Sequence, residues 1–110
     1  MVAVVALALA DSRGGSTGGT SHVVVSGGAA HLRIVNYAFV PKTLTVRAGT
    51  TITVTNNDST AHTATASSGA FDSGTVKPGQ SASFTLRKPG TYSYYCQFHA
   101  FMTGTIKVVR

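Results

Sequence analysis

The feature that most constrains this chain is a period-two alternation of apolar and hydroxyl-bearing residues. Leu44 and Val46 alternate with Thr43, Thr45 and Arg47, and Ile52 and Val54 with Thr51, Thr53 and Thr55. Ala82, Phe84 and Leu86 alternate with Ser81, Ser83, Thr85 and Arg87. Tyr92, Tyr94 and Cys96 alternate with Thr91, Ser93 and Tyr95, and Ile106 and Val108 with Thr105 and Lys107. Successive side chains of an extended chain point to opposite faces, so each run buries one face and wets the other. Turn formers separate the runs: Ala48-Gly49, Asn56-Asn57-Asp58, Ser68-Gly69, Pro78-Gly79 and Pro89-Gly90. No stretch carries a 3.6-residue apolar period. The pattern predicts an all-β fold, a Greek-key antiparallel β-sandwich of about eight strands. Two of these strands are expected over Leu32–Val35 and over His62–Ala66.

The 110 residues suffice for one domain. Residues 2–10 (VAVVALALA) form an apolar run far short of the ~20 residues that span a bilayer. The run resembles the core of a secretory signal, with Ala8-Leu9-Ala10 as a small-residue cleavage site and without a basic start. Residues 11–21 (DSRGGSTGGTS) read as a flexible linker that suits a domain held near a membrane. Residues 22–110 are expected to be the folded domain, exported to the periplasm or the outer cell surface and monomeric.

Charged residues make up 11% of the chain, with a net charge of +6 and no Glu or Trp. The Lys and Arg residues are scattered and do not interleave with aromatics, which argues against a nucleic-acid surface. The charge favours acidic partners or anionic membranes. The single cysteine excludes an intramolecular disulfide. In an exported protein it is a buried passenger, a reactive thiol or a ligand.

The segment from Cys96 through His99 to Met102 offers a thiolate, an imidazole and a thioether at three-residue intervals, between two strands. Thiolate and thioether suit Cu(I) and imidazole suits Cu(II). Two His and one Cys with a weak Met bond are the ligand set of blue-copper centres. A second His must come from elsewhere. His22 adjoins the linker and His31 precedes a strand; both read as surface residues. His62 follows the Asn56–Ser59 turn and opens a strand, and is expected at the same end of the sandwich as the 96–102 loop. His62, Cys96, His99 and Met102 are therefore the expected ligands of one copper ion. Phe98, Ala100 and Phe101 surround His99 in sequence; Ala100 is expected in an apolar docking patch, and the two Phe either join it or pack inward.

The run from Pro89-Gly90-Thr91-Tyr92 to Cys96, followed by His99, Met102, Gly104 and Val108, resembles the C-terminal half of the plastocyanin/amicyanin family. The pieces Asn36-Tyr37-Ala38-Phe39-Val40-Pro41, Val46-Arg47-Ala48-Gly49, Phe71-Asp72-Ser73-Gly74 and Lys77-Pro78-Gly79 are similar to family members too. The likeness covers about residues 30–109, and the Cys-x2-His-x2-Met loop is closer to amicyanin than to plastocyanin. The resemblance implies a cupredoxin, with Cys96, His99 and His62 as equatorial ligands, Met102 as the axial one, and Greek-key β-sandwich architecture. Its function would be shuttling single electrons between transient redox proteins. The chain departs from the family at Thr63, where Asn usually ties the two ligand loops, and at Phe98 and Ala100, where amicyanin-type loops carry Pro. The Thr63 hydroxyl is expected to replace the Asn, and the Phe98 N–H to donate to the Cys96 sulfur. The site is coordinatively closed, so an enzyme is not expected. Copper storage or delivery is the competing reading, and zinc on His62, Cys96 and His99 a weaker one.

Overall fold

The computed structural model describes Val24, Val25 and residues 28–110; the apolar segment 1–10, the linker 11–21 and His22 lie outside the described residues. The alternating runs form strands: β2 (Ala29–Ile34), β4 (Thr43–Arg47), β5 (Thr50–Asn56), β7 (Ser81–Leu86), β8 (Gly90–Tyr95) and β9 (Thr103–Val109). Three two-residue strands, β1 (Val24–Val25), β3 (Phe39–Val40) and β6 (Thr65–Ala66), complete the set. They build two sheets, ordered β1-β4-β9-β8-β6 and β3-β2-β5-β7.

The faces divide as the alternation requires. Leu32, Ile34, Ile52 and Val54 of one sheet and Leu44, Val46, Tyr94, Ile106 and Val108 of the other are buried in one core. On the outer face of the second-named sheet, Thr51 pairs with Thr85, Thr53 with Ser83 and Thr55 with Ser81 through hydroxyl bonds of 2.8–3.1 Å. Such cross-strand pairs stabilise a wet sheet face without charges. Strand direction differs in part from the antiparallel expectation: β1–β4, β2–β5 and β4–β9 are parallel. Alternation reports which face is buried and is blind to the direction of the neighbour.

Two local arrangements bear on the site. β2 and β5 end together, Ile34 opposite Asn56, while β8 ends where β9 begins, Tyr95 opposite Thr103. The Asn36–Tyr37, Asn57–Thr63 and Cys96–Met102 loops thus gather at one pole. The expected strand over His62–Ala66 is reduced to β6, with His62 in an isolated bridge to Val76. The reason lies in where the backbone bonds go. His62 N–H donates to Val76 O, Thr63 N–H to the Cys96 sulfur, and Ala64 N–H to Ser73 Oγ. A segment whose donors serve three different partners cannot also run along one neighbouring strand.

Candidate metal centre

Cys96 stands just past β8, at the point where the chain leaves the sheet. The loop is closed by its own backbone: Met102 N–H donates to His99 O at 2.8 Å, and Cys96 N–H to Met102 O at 3.1 Å. This short circuit fixes three of the four sequence-predicted ligands on one turn. Cys96 and His62 are fully buried, Met102 nearly so, and His99 partly exposed. The Nδ1 atoms of His62 and His99 each lie 3.7 Å from Cys96 Sγ. The ligand atoms of all three residues fall within 4.8 Å of one another. Two imidazoles and a thiol converging from two loops, with a thioether in the same turn, form a donor set that fits copper in both oxidation states.

A family model described as a cupredoxin-like domain matches residues 1–108. The chain belongs to the cupredoxin-like family. A purple cupredoxin from Nitrosopumilus maritimus is 30% identical, matching 72% of this chain and 98% of its own, with a TM-score of 0.66. A reduced amicyanin variant is 29% identical over 74% of this chain and 82% of its own, with a TM-score of 0.69. The chloroplastic plastocyanin of Hordeum vulgare is 36% identical over 83 residues, 64% of this chain and 54% of that one. The cupredoxin thus spans about half the length of the curated plastocyanins it matches.

In this cupredoxin the carboxylate of Asp58, in sequence only part of the Asn56-Asn57-Asp58 turn, is central to the site. Asp58 Oδ2 lies 2.9 Å from His62 Nε2. An ionised carboxylate can only accept, so Nε2 carries the proton and donates, leaving the Nδ1 lone pair aimed toward Cys96. Asp58 also accepts the N–H groups of Asn36 at 2.6 Å and Tyr37 at 2.9 Å. Those two residues are left-handed, with φ of 52° and 60°. Asn tolerates that conformation; Tyr does so at a cost that the shared carboxylate offsets. Burial pushes the Asp58 carboxyl up, but the Tyr37 and Asn36 amides and the His62 ring together outweigh it and hold it below its ordinary value.

The strained turn places the Tyr37 ring edge-on to both imidazoles, with centroids 5.2 Å from His62 and 5.0 Å from His99. Its hydroxyl bonds Thr60 at 3.0 Å. Tyr37 and Asp58 were legible only as motif and turn. The available signal was an acidic residue four positions before the upstream His in a chain with three acidic residues.

Thr63 ties the loops as expected: its Oγ1 accepts the Gln97 N–H at 2.9 Å. The donor to the Cys96 sulfur differs from the expectation. It is the Thr63 N–H, at 3.4 Å, and the Phe98 N–H makes no such bond among the described residues. The amide that reaches the sulfur thus comes from the facing loop, while the Cys96, His99 and Met102 amides close the turn on itself. Around His99, Phe98 is 53% exposed and Phe101 72%, so both turn outward and join Ala100 in an apolar rim. His31 is exposed and stands apart from the site, as expected.

Proposed function

We propose that this cupredoxin is a type 1 copper electron-transfer protein that binds one copper ion through His62, Cys96, His99 and Met102. The observation that carries the reading is the placement of two imidazole Nδ1 atoms 3.7 Å from one buried cysteine sulfur, with Met102 buried in the same turn. Copper held there supplies a one-electron couple. The chain's own task is to keep its donors in one arrangement through both oxidation states. Asp58 fixes the His62 tautomer and ring direction, Thr63 joins the two loops, and the sandwich core excludes water.

Four protein donors leave no position for a substrate, which supports a carrier and not an enzyme. A copper-containing nitrite reductase from Thermus scotoductus SA-01 matches over 22% of its own chain, at 27% identity and a TM-score of 0.70. That likeness is to one portion of a larger protein. His99 is the one partly exposed imidazole of the set, and Phe98, Ala100 and Phe101 frame it. Partners dock transiently on this apolar rim, bringing their redox centre close to the His99 edge. The net charge of +6 favours acidic partners, and the apolar segment 2–10 supports export.

The test separates carriage from delivery. The copper-loaded protein is cycled repeatedly between ascorbate and a mild oxidant beside a competing Cu(I) chelator. A carrier keeps its metal and its optical signal through the cycles. Loss of copper to the chelator at the first reduction would overturn the reading in favour of storage or delivery.

A further inference from the structure

The Phe71-Asp72-Ser73-Gly74 segment lies outside the ligand set, yet it is joined to the Cys96 loop through the interior. We propose that Asp72 is a positioning residue for the Cys96 loop, acting through a file of hydroxyls that runs from Gln97 through Thr63 and Thr65 to its carboxylate.

The direction of every bond in the file is fixed by elementary bookkeeping of protons. Asp72 Oδ1 lies 3.2 Å from Thr65 Oγ1, and a carboxylate only accepts, so Thr65 spends its one hydroxyl proton there. Thr65 Oγ1 lies 3.0 Å from Thr63 Oγ1, so the proton between them belongs to Thr63. With its own proton committed, Thr63 Oγ1 is left as an acceptor, and it takes the Gln97 N–H at 2.9 Å. All three bonds point the same way, so each strengthens the acceptor behind it.

Both hydroxyls are buried, Thr63 at 1% and Thr65 at 8% exposure, and a buried hydroxyl left unpaired is costly. The anchors at the far end are firm. Asp72 accepts the Gly74 N–H at 2.9 Å, its backbone bridges Thr65, and Thr65 pairs with Tyr95 across β6–β8. At the near end Thr63 touches the loop twice, through its hydroxyl on Gln97 N–H and its own N–H on the Cys96 sulfur. Thr at position 63 thereby explains the need for Asp72. A hydroxyl that receives the loop amide must itself dispose of a proton in a buried site, and Thr65 and Asp72 take it.

The effect on the loop rests on contacts of the chain alone; only the effect on a reduction potential rests on the proposed copper chemistry. The test therefore reads both. In the metal-free protein, Thr65→Val keeps the β-branched shape and Asp72→Ala removes the terminal acceptor. Each should speed amide exchange at Gln97 about tenfold, the size of one lost hydrogen bond. The double variant should be no faster than either single one, and Asp72→Asn, which still offers an oxygen, should restore most of the protection. Amides of the β8–β9 ladder keep their protection in each variant, which marks an intact fold. Unchanged exchange at Gln97 in Thr65→Val, or additive effects in the double variant, would overturn the proposal.

In the copper-loaded protein, Thr65→Val should lower the reduction potential, because a looser Thr63 N–H withdraws less density from the thiolate. A purely Coulombic role for Asp72 gives the opposite pattern: a raised potential in Asp72→Ala and none in Thr65→Val. Failure to bind copper would sink the electron-transfer reading and leave the exchange result standing.

Discussion

At the scale of single residues, Asp58 does more than any non-ligand side chain near the site. It sets which His62 nitrogen is free and holds the left-handed pair that brings Tyr37 over both imidazoles. Asp58→Asn keeps the shape and removes the charge. It should weaken metal binding about 10- to 100-fold, the usual range for losing such a support, measured by competition with a chelator. With a less basic His62 the oxidised state is favoured less, so the potential should rise. About 59 mV would correspond to a tenfold change in the one-electron equilibrium.

The same residue gives the metal-free protein a pH signature. Its carboxyl is held below its ordinary value of 3.8 when folded. A lowered folded pKa contributes stability above the unfolded value, and the contribution is lost as pH falls through the folded one. Urea melts of wild type and Asp58→Asn should therefore differ near neutral pH and converge as the pH is taken below about 4. A gap that widened on acidification would show the sign to be wrong.

At the scale of elements, the β8–β9 ladder is the part most sensitive to single substitutions. Tyr94 stands opposite Gly104 in the register, and its ring lies across the glycine. A Cβ at position 104 would meet Tyr94 Cζ and Oη at 2.5 Å, so Gly104 is required for space and not for its backbone conformation. Gly104→Ala should cost roughly 1–3 kcal/mol by overpacking. Among the described residues the Tyr94 hydroxyl is buried without a partner, and burial pushes its phenol pKa up. Tyr94→Phe should accordingly be neutral or stabilising by up to about 1 kcal/mol, read as a shift of the urea midpoint at constant slope. Tyr92 behaves differently: its hydroxyl bonds Lys88 O four residues back, the corner expected of a Greek-key sandwich.

The element scale also shows what the sequence could reveal. Long alternating runs such as Thr51–Thr55 and Thr105–Val108 were legible because each face has one environment. So were Cys96, His99 and Met102, because one turn carries all three. The His62 segment was not legible as it stands. Its backbone answers to Val76, Cys96 and Ser73, which are distant in sequence, and no local period reports such partners. Asp58 and Asp72 were missed for the same reason. Each acts across the fold on residues whose proximity only the two-sheet packing creates.

At the scale of the molecule, the two sheets bring three loops to one pole and leave His99 at its surface, ringed by Phe98, Ala100 and Phe101. The net charge of +6 acts at longer range than this apolar rim. Electron exchange with an acidic redox protein should therefore slow steadily as ionic strength rises, because salt screens steering but not apolar contact. Phe101→Asp, at a side chain 72% exposed, should slow exchange at every ionic strength without disturbing the site's spectrum. Equal loss of rate and spectral change would place Phe101 in the structure of the site instead.

The most direct measurement is an optical titration of the purified protein with Cu(II), run beside the Cys96→Ser variant. The site as described predicts an intense band toward the red end of the visible. It should saturate at one equivalent, bleach with ascorbate and be absent from the variant. Weak absorption typical of exposed Cu(II), or a band that survives the loss of Cys96, would contradict a centre built on His62, Cys96, His99 and Met102.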